Sequence, residues 1–387
     1  MYTIAEAKRT ISDGIRAYLH KDQSGNYILN EVNCIPFYLE GAPGIGKTEI
    51  VKQIADELHL GYVSFSLVHH TRNSLIGLPE VRTLDDGEKY TKYTMSEVIA
   101  AVNNEIEKGH KEGILLLDEF PCMSESIMPA MLAFLQTKTI GGHALKRGWV
   151  MVLCGNPAKY NKNTHSFDAA VTDRVRKIEI EYDLDDFLTY AREKEFSEDI
   201  IDYLEINPGH MYRFYKHKDG EELVTCRGWE NLSHTLKMNE DLNLRTDSKM
   251  VEQFIKSEEI AISFAQFYIQ QHAGMNDVDR QAVFEGKIGK SLIAKYKGMD
   301  FNNKWNILAY LETFLKADVD SLSMSETGER INNVFRFLSF IDEDENLEEK
   351  FYLDITNNQV LLKAICSIDS EYFIRQCQKQ YGTRKIS

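Results

Sequence analysis

The sequence predicts a parallel-stranded α/β core with hairpin inserts, followed by a small helical lid and a helical C-terminal extension. Three observations carry this expectation. Short apolar runs at 35–39, 62–68, 114–117 and 149–153 alternate with amphipathic stretches, the pattern of buried strands covered by helices. A glycine-rich octapeptide, 41–48, sits between one such run and a helical period. Beyond Leu184 strand-like runs become rare and the 3.6-residue period dominates. The expected divisions are a core over 1–185, a lid over 186–247 and a helical domain over 248–387.

Each element follows from local chemistry. The run 35–39 stops at Gly41 and reads as the first strand. Ile50, Val51, Ile54, Ala55 and Leu58 then recur at helical spacing, with Gly61 beyond as a stop signal. A second strand is expected at 62–68, and a helix at 96–108 through Val98, Ile99, Val102 and Ile106. A buried strand at 114–117 precedes a short helix at 129–136 that begins on proline, where a missing N–H costs nothing. The run 149–153 and the pair Ile178 and Ile180 supply the remaining strands. Asp86-Gly87 between β-tolerant arms predicts a hairpin over 79–93. Residues 138–147, with Gly141-Gly142, read as a loop. Helices are expected at 185–194, 198–205 and 229–238, and after a polar stretch at 250–271, 305–317, 329–341 and 359–376.

With 43% hydrophobic and 27% charged residues, the 387-residue chain has ample material for a core, which excludes general disorder. Its 45 basic residues against 60 acidic give a net charge of −15. The balance is 20 basic to 25 acidic over 1–185 and 25 to 35 beyond, so the acid is weighted towards the C-terminal half. Such a chain has no global attraction for phosphate backbones or anionic membranes, which argues against nucleic acid as the partner. Six scattered cysteines without a CxxC pair point to a reduced, cytoplasmic setting. Lys8, Arg9, Asp13 and Arg16 interrupt the first 20 residues, so no secretory leader is expected. No apolar run reaches about 18 residues, so no membrane insertion is expected either.

Gly41-Ala42-Pro43-Gly44-Ile45-Gly46-Lys47-Thr48 fits G-x-x-x-x-G-K-[ST]. Glycine lets the backbone curl its N–H groups around phosphate oxygens, and the helix that follows, beginning near Glu49, turns its positive end to the same anion. Lys47 offers a point charge to the β- and γ-phosphates, and the Thr48 hydroxyl suits a Mg²⁺ ion. ATP with Mg²⁺ is the expected ligand pair. A second element, 114–119, is a buried strand ending in Asp118 and Glu119. Asp118 is placed for the Mg²⁺ shell, and Glu119 for polarising an attacking water. His69-His70 has no third ligand at a recognisable spacing, and Cys122 and Cys154 lack a base at nucleophile spacing.

The acidic pair, with Gly155-Asn156-Pro157 after the next apolar run, resembles the AAA+ ATPases. That resemblance implies a sensor role for Asn156 beside the γ-phosphate. Leu75-Ile76-Gly77-Leu78-Pro79, the Asp86-Gly87 hairpin, Ile140-Gly141-Gly142-His143 and Asp173-Arg174-Val175 are similar, in order, to the MoxR/RavA-type clade over roughly 35–238. By that resemblance Arg174 is an arginine finger offered to a neighbouring subunit, with Arg176 and Lys177 close enough to blur the assignment. Arg227, in Thr225-Cys226-Arg227-Gly228, is then a sensor arginine of the lid, although the family often has proline where Cys226 stands. The two inserts would decorate the pore of a ring, with Tyr90, Tyr93 and His143 facing it. The clade further implies self-association, with a hexamer as the family's usual ring. It also implies a protein client and a von Willebrand factor A-domain partner. Two other functions stay open on sequence: a nucleic-acid motor or loader, and a slow nucleotide-dependent scaffold.

Overall fold

The computed structural model of the chain describes residues 1–160, 169–216, 221–242, 244, 246–319, 321–342 and 346–381. They fall into two compact units, one comprising Met1–Glu195 with Thr225–Gly228, the other Phe196–Val224 with Trp229–Ser387.

The first unit opens with α1 (Ile4–Tyr18), capped reciprocally by Thr3 and Glu6. Its buried face carries Ala7, Ile11, Ile15 and Tyr18, a helical stripe set among charged residues. Five strands form one parallel sheet: β1 (Phe37–Gly41), β2 (Gly61–Ser66), β5 (Gly113–Asp118), β8 (Trp149–Gly155) and β9 (Arg176–Ile180), in the order β2-β5-β8-β1-β9. Between them run α2 (Lys47–Glu57), α3 (Arg72–Ile76), α4 (Glu97–Glu107), α5 (Met128–Thr137) and α6 (Ala169–Thr172), and α7 (Leu184–Glu193) follows β9. Leu115, Leu117, Met151 and Leu153 pack with Val98, Val102, Met131 and Phe134 in one core. Alternation sends Ile114, Leu116, Val150 and Val152 to the opposite face, where they are equally buried. Because every strand points the same way, the loops after β1, β5 and β8 leave from one edge, where open α/β sheets bind ligands.

The hairpin expected at 79–93 is β3 (Pro79–Thr83) paired with β4 (Lys89–Tyr93), all ten residues exposed. The stretch 138–147, expected as a loop, contains a second small hairpin, β6 (Thr139–Ile140) with β7 (His143–Ala144). The two inserts meet: His143 Nε2 lies 3.1 Å from the Tyr93 carbonyl.

The second unit is largely helical: α8 (Glu198–Ile206), most of α9 (Cys226–Leu242), α10 (Ser248–Glu252), α11 (Glu258–His272), α12 (Asp277–Phe284), α13 (Lys290–Lys297), α14 (Phe301–Asp318), α15 (Met324–Ile341), α16 (Asn346–Asn357), α17 (Gln359–Cys366) and α18 (Glu371–Tyr381). It also contains an antiparallel pair, β10 (Arg213–Lys216) and β11 (Glu221–Val224), where only helices were expected. Two expected helices are each two. The period 250–271 breaks at Ser257, whose extended backbone (φ −149°) starts α11. The period 359–376 breaks at Ser370, whose hydroxyl accepts from Phe373 N at 3.2 Å and caps α18. Ile331, Phe335 and Leu338 of α15 form the centre of a core with Leu311, Phe351 and Leu361. Among the described residues no helix is long and apolar enough to cross a membrane.

Candidate nucleotide site at the carboxyl ends of the strands

The glycine-rich loop leaves β1 and feeds directly into α2, so the first N–H groups of that helix remain unpaired within it. Gly44 (φ +71°) and Gly46 (φ +105°) hold left-handed backbone that a side chain would strain. At Gly44 a Cβ would also stand 2.8 Å from Thr225 Cβ, so the loop is pressed against the segment that begins α9. Arg227 N donates to the Gly44 carbonyl at 3.2 Å. The backbone before the lysine is thus shaped from both sides.

Lys47 is buried, and its ammonium donates to three neutral acceptors: Gly41 O at 3.0 Å, Ala42 O at 2.7 Å and Asn156 Oδ1 at 2.8 Å. Burial pulls its pKa down to about 8, against the attraction of Asp118, and the Arg227 charge pushes in the same direction as burial. Among the described residues no carboxylate bonds to this cation. Next to it, the Thr48 hydroxyl donates to Asp118 Oδ2 at 2.8 Å. The loop residue, the acid that ends β5 and the asparagine that follows β8 therefore meet, although 109 residues separate Lys47 from Asn156.

Glu119 follows Asp118 in left-handed backbone (φ +54°), an uncommon state for a non-glycine residue and one concentrated at functional sites. Its amide donates to Asp118 Oδ1 at 2.8 Å, and its carboxylate accepts from Ser66 Oγ at 2.5 Å. Ser66 ends β2 and pairs in register with Asp118. The sequence reading missed it because a lone serine at a strand end carries no motif.

The arginines are placed differently. Arg227 lies in α9's first turn within the first unit, its side chain exposed and its charge felt at Lys47. Arg174 lies in the turn between α6 and β9, half-buried, with Nε on Gln136 Oε1 at 3.3 Å. Arg176 lies over the Phe37 ring, 4.6 Å from its centroid, and donates to the Tyr18 hydroxyl. Lys177 bridges Glu40 at 2.8 Å and Glu179 at 2.7 Å.

Other sequence candidates resolve simply. Cys154 is fully buried and its thiol is pushed well above the ordinary range by burial and then by Asp118, so it stays protonated. His70 contacts Ser74 and Glu97, and the His69 side chain lies outside the described residues. All six cysteines are free thiols.

The residues present fit a nucleotide with its cation. A buried ammonium held only by neutral acceptors leaves its charge available to an anion. The Thr48–Asp118 hydroxyl–carboxylate pair is oxygen chemistry that suits Mg²⁺.

Several solved structures share similarity with the chain. Two are RuvB variants of Thermotoga maritima. One is 13% identical over 81% of this chain and 83% of that one, the other 15% identical over 82% and 84%, each with a TM-score of 0.37. Another is a candidate ATPase of Cytophaga hutchinsonii, 13% identical over 94% and 90%, with a TM-score of 0.33. These scores are too low to say anything of this chain's activity. Among curated proteins none matches it. The family match is local and coincides with the sheet: residues 37–180 fit the ATPase family associated with various cellular activities (AAA). The match runs from the first residue of β1 to the last of β9.

Proposed function

We propose that the chain is an ATP hydrolase of the MoxR type, working in a ring of identical subunits to remodel or mature a partner protein. The observation that carries the hydrolase reading is the convergence of Lys47, Thr48, Asp118 and Asn156 at three strand ends. In this reading the loop 41–48 and the first turn of α2, through Glu49, bind the triphosphate. Lys47 exchanges its main-chain acceptors for phosphate oxygens. Mg²⁺, when bound, neutralises phosphate charge, with Thr48 and Asp118 as the residues that hold it. The Ser66 hydroxyl bonds Glu119 Oε2 at 2.5 Å and lowers the basicity of the carboxylate, so release from Ser66 makes Glu119 a stronger base towards water. Asn156 orients the same water, a reading supported by its bond to Lys47.

Arg227 serves its own subunit's nucleotide, supported by its main-chain tie to Gly44, with residues 186–247 as the lid and 248–387 as the specialised helical domain. Arg174 serves the neighbour's. Arg176 and Lys177 are committed to contacts along β1 and β9, which favours Arg174 over either. The two exposed inserts, joined through His143 and Tyr93, form the client-facing surface of a hexameric ring, with Tyr90 beside them. A von Willebrand factor A-domain protein is the proposed adaptor, and the reduced cytoplasm the proposed setting.

The test is turnover per subunit as a function of concentration, with sizing in ATP. A shared site predicts that activity rises with assembly, and that Arg174→Ala subunits mixed into wild-type rings lower it. Activity independent of dilution, or a homogeneous Arg174→Ala population hydrolysing at the wild-type rate, would refute the ring mechanism.

A further inference from the structure

The helical unit contains a ligand set that the nucleotide reading does not use. Asp199 stands in the first turn of α8, Glu240 in the last turn of α9, and His272 ends α11. One carboxylate oxygen from each acid and one imidazole nitrogen lie within 4.8 Å of one another. It is the one such group of three or more His, Cys, Asp or Glu side chains among the described residues.

Each donor is held by a neighbour. The His272 ring stacks on Tyr268, centroids 4.2 Å apart and planes at 21°, and its Nε2 lies 2.9 Å from Asp199 Oδ2. The Tyr268 hydroxyl donates to Glu240 Oε1 at 3.3 Å, and the Ser197 hydroxyl to Asp199 Oδ2 at 3.3 Å. Supporting contacts of this kind orient the ligands of metal centres. Charge points the same way. Neither carboxylate has a lysine or arginine partner among the described residues, so a protonated His272 still leaves the trio at −1. A dication would bond all three donors and leave them near neutrality.

We propose that Asp199, Glu240 and His272 bind a first-row divalent cation, tying together α8, α9 and α11. One imidazole with two carboxylates suits zinc, cobalt or manganese, not thiophilic copper(I) or calcium's all-oxygen shell. Glu240 is exposed and leaves a side open for water to complete the coordination. The competing arrangement is a His272–Asp199 ion pair with Glu240 as a bystander, and it makes opposite predictions for Glu240.

The experiment titrates Co²⁺ and Zn²⁺ into the full chain after chelator dialysis, in a Thr48→Ala, Asp118→Ala background that removes the first unit's cation pair. Expected are one saturable equivalent, a Co²⁺ visible spectrum with imidazole ligation, and a rise in melting temperature. Glu240→Gln, which leaves the His272–Asp199 bond in place, should weaken binding at least about tenfold without changing metal-free melting. His272→Ala should abolish the imidazole spectrum. Absence of a saturable equivalent in that background, or Glu240→Gln binding as tightly as its parent, would overturn the site.

Discussion

Two buried charges, one from each unit, are held in opposite ways. In the helical unit Glu348 is 1% exposed and fully answered: the Arg375 guanidinium bonds it, and Gln376 Nε2 donates at 3.0 Å. In the α/β unit Lys47 is 8% exposed, and its three partners carry no charge. Removing an ion from water costs several kcal/mol, so a fold that buries one without a counterion needs a reason beyond stability. Glu348 is structural, a cross-link between α16 and α18. Lys47 is a cation kept ready for an anion that comes and goes. Neither burial nor neutral partners alone mark a functional charge, since Lys138 is as buried and donates to the Leu135 carbonyl; Lys47 differs in reaching Asn156, beside the Thr48–Asp118 pair.

The largest expected effect separates binding from chemistry. Glu119→Gln should lower turnover by about 10²–10⁴-fold, the range of general-base catalysis, while ATP is retained. Turnover near wild type would remove Glu119 from the base role. On the other side of the comparison, Arg375→Ala leaves Glu348 buried beside Gln376 alone. It should cost about 3 kcal/mol in urea unfolding and leave ATP affinity unchanged. A loss of affinity there would show that the second charge is not merely structural.

Smaller effects sharpen the account of Lys47. Its folded pKa of about 8 lies below the ordinary lysine value of 10.5. The charged form is therefore about half populated at pH 8 and is lost as pH rises through it. ATP affinity should then fall about tenfold per pH unit above 8, with one proton taken up on binding, measured by calorimetry in two buffers. The same depression makes the nucleotide-free fold gain stability between pH 8 and 10.5, where only the unfolded chain still holds the proton. The smallest effect concerns the Ser66 bond to Glu119. Ser66→Ala removes one hydrogen bond, on the order of 1 kcal/mol, and should raise basal turnover about fivefold. An unchanged rate would mean that Ser66 does not restrain the base.

Much of this site was legible because its chemistry is written in contiguous residues. The octapeptide 41–48 and the strand ending in Asp118 and Glu119 each join a local pattern to a local structure. The hairpin at Asp86-Gly87 was legible for the same reason. Ser66 was not, because it reaches Glu119 only through the β2–β5 register, 53 residues away in sequence. The tie between Gly44 and Thr225 is likewise a product of packing alone. In the helical region the pair β10–β11 escaped notice although Asp219-Gly220 stood between its arms, since both arms are short and half polar. Helix α1 escaped because its buried positions Ala7, Ile11, Ile15 and Tyr18 stand singly among five charged residues. The His272 cluster draws one residue from each of three helices, and no spacing rule spans that distance.

The most direct test of the central claim is calorimetric titration of MgATP into the wild-type chain and Lys47→Ala. The account predicts saturable binding to the wild type and an affinity at least about 10–100-fold weaker in the variant, the loss of a charge-assisted bond to phosphate. Equal affinity in the two proteins, or no binding to the wild type, would contradict it.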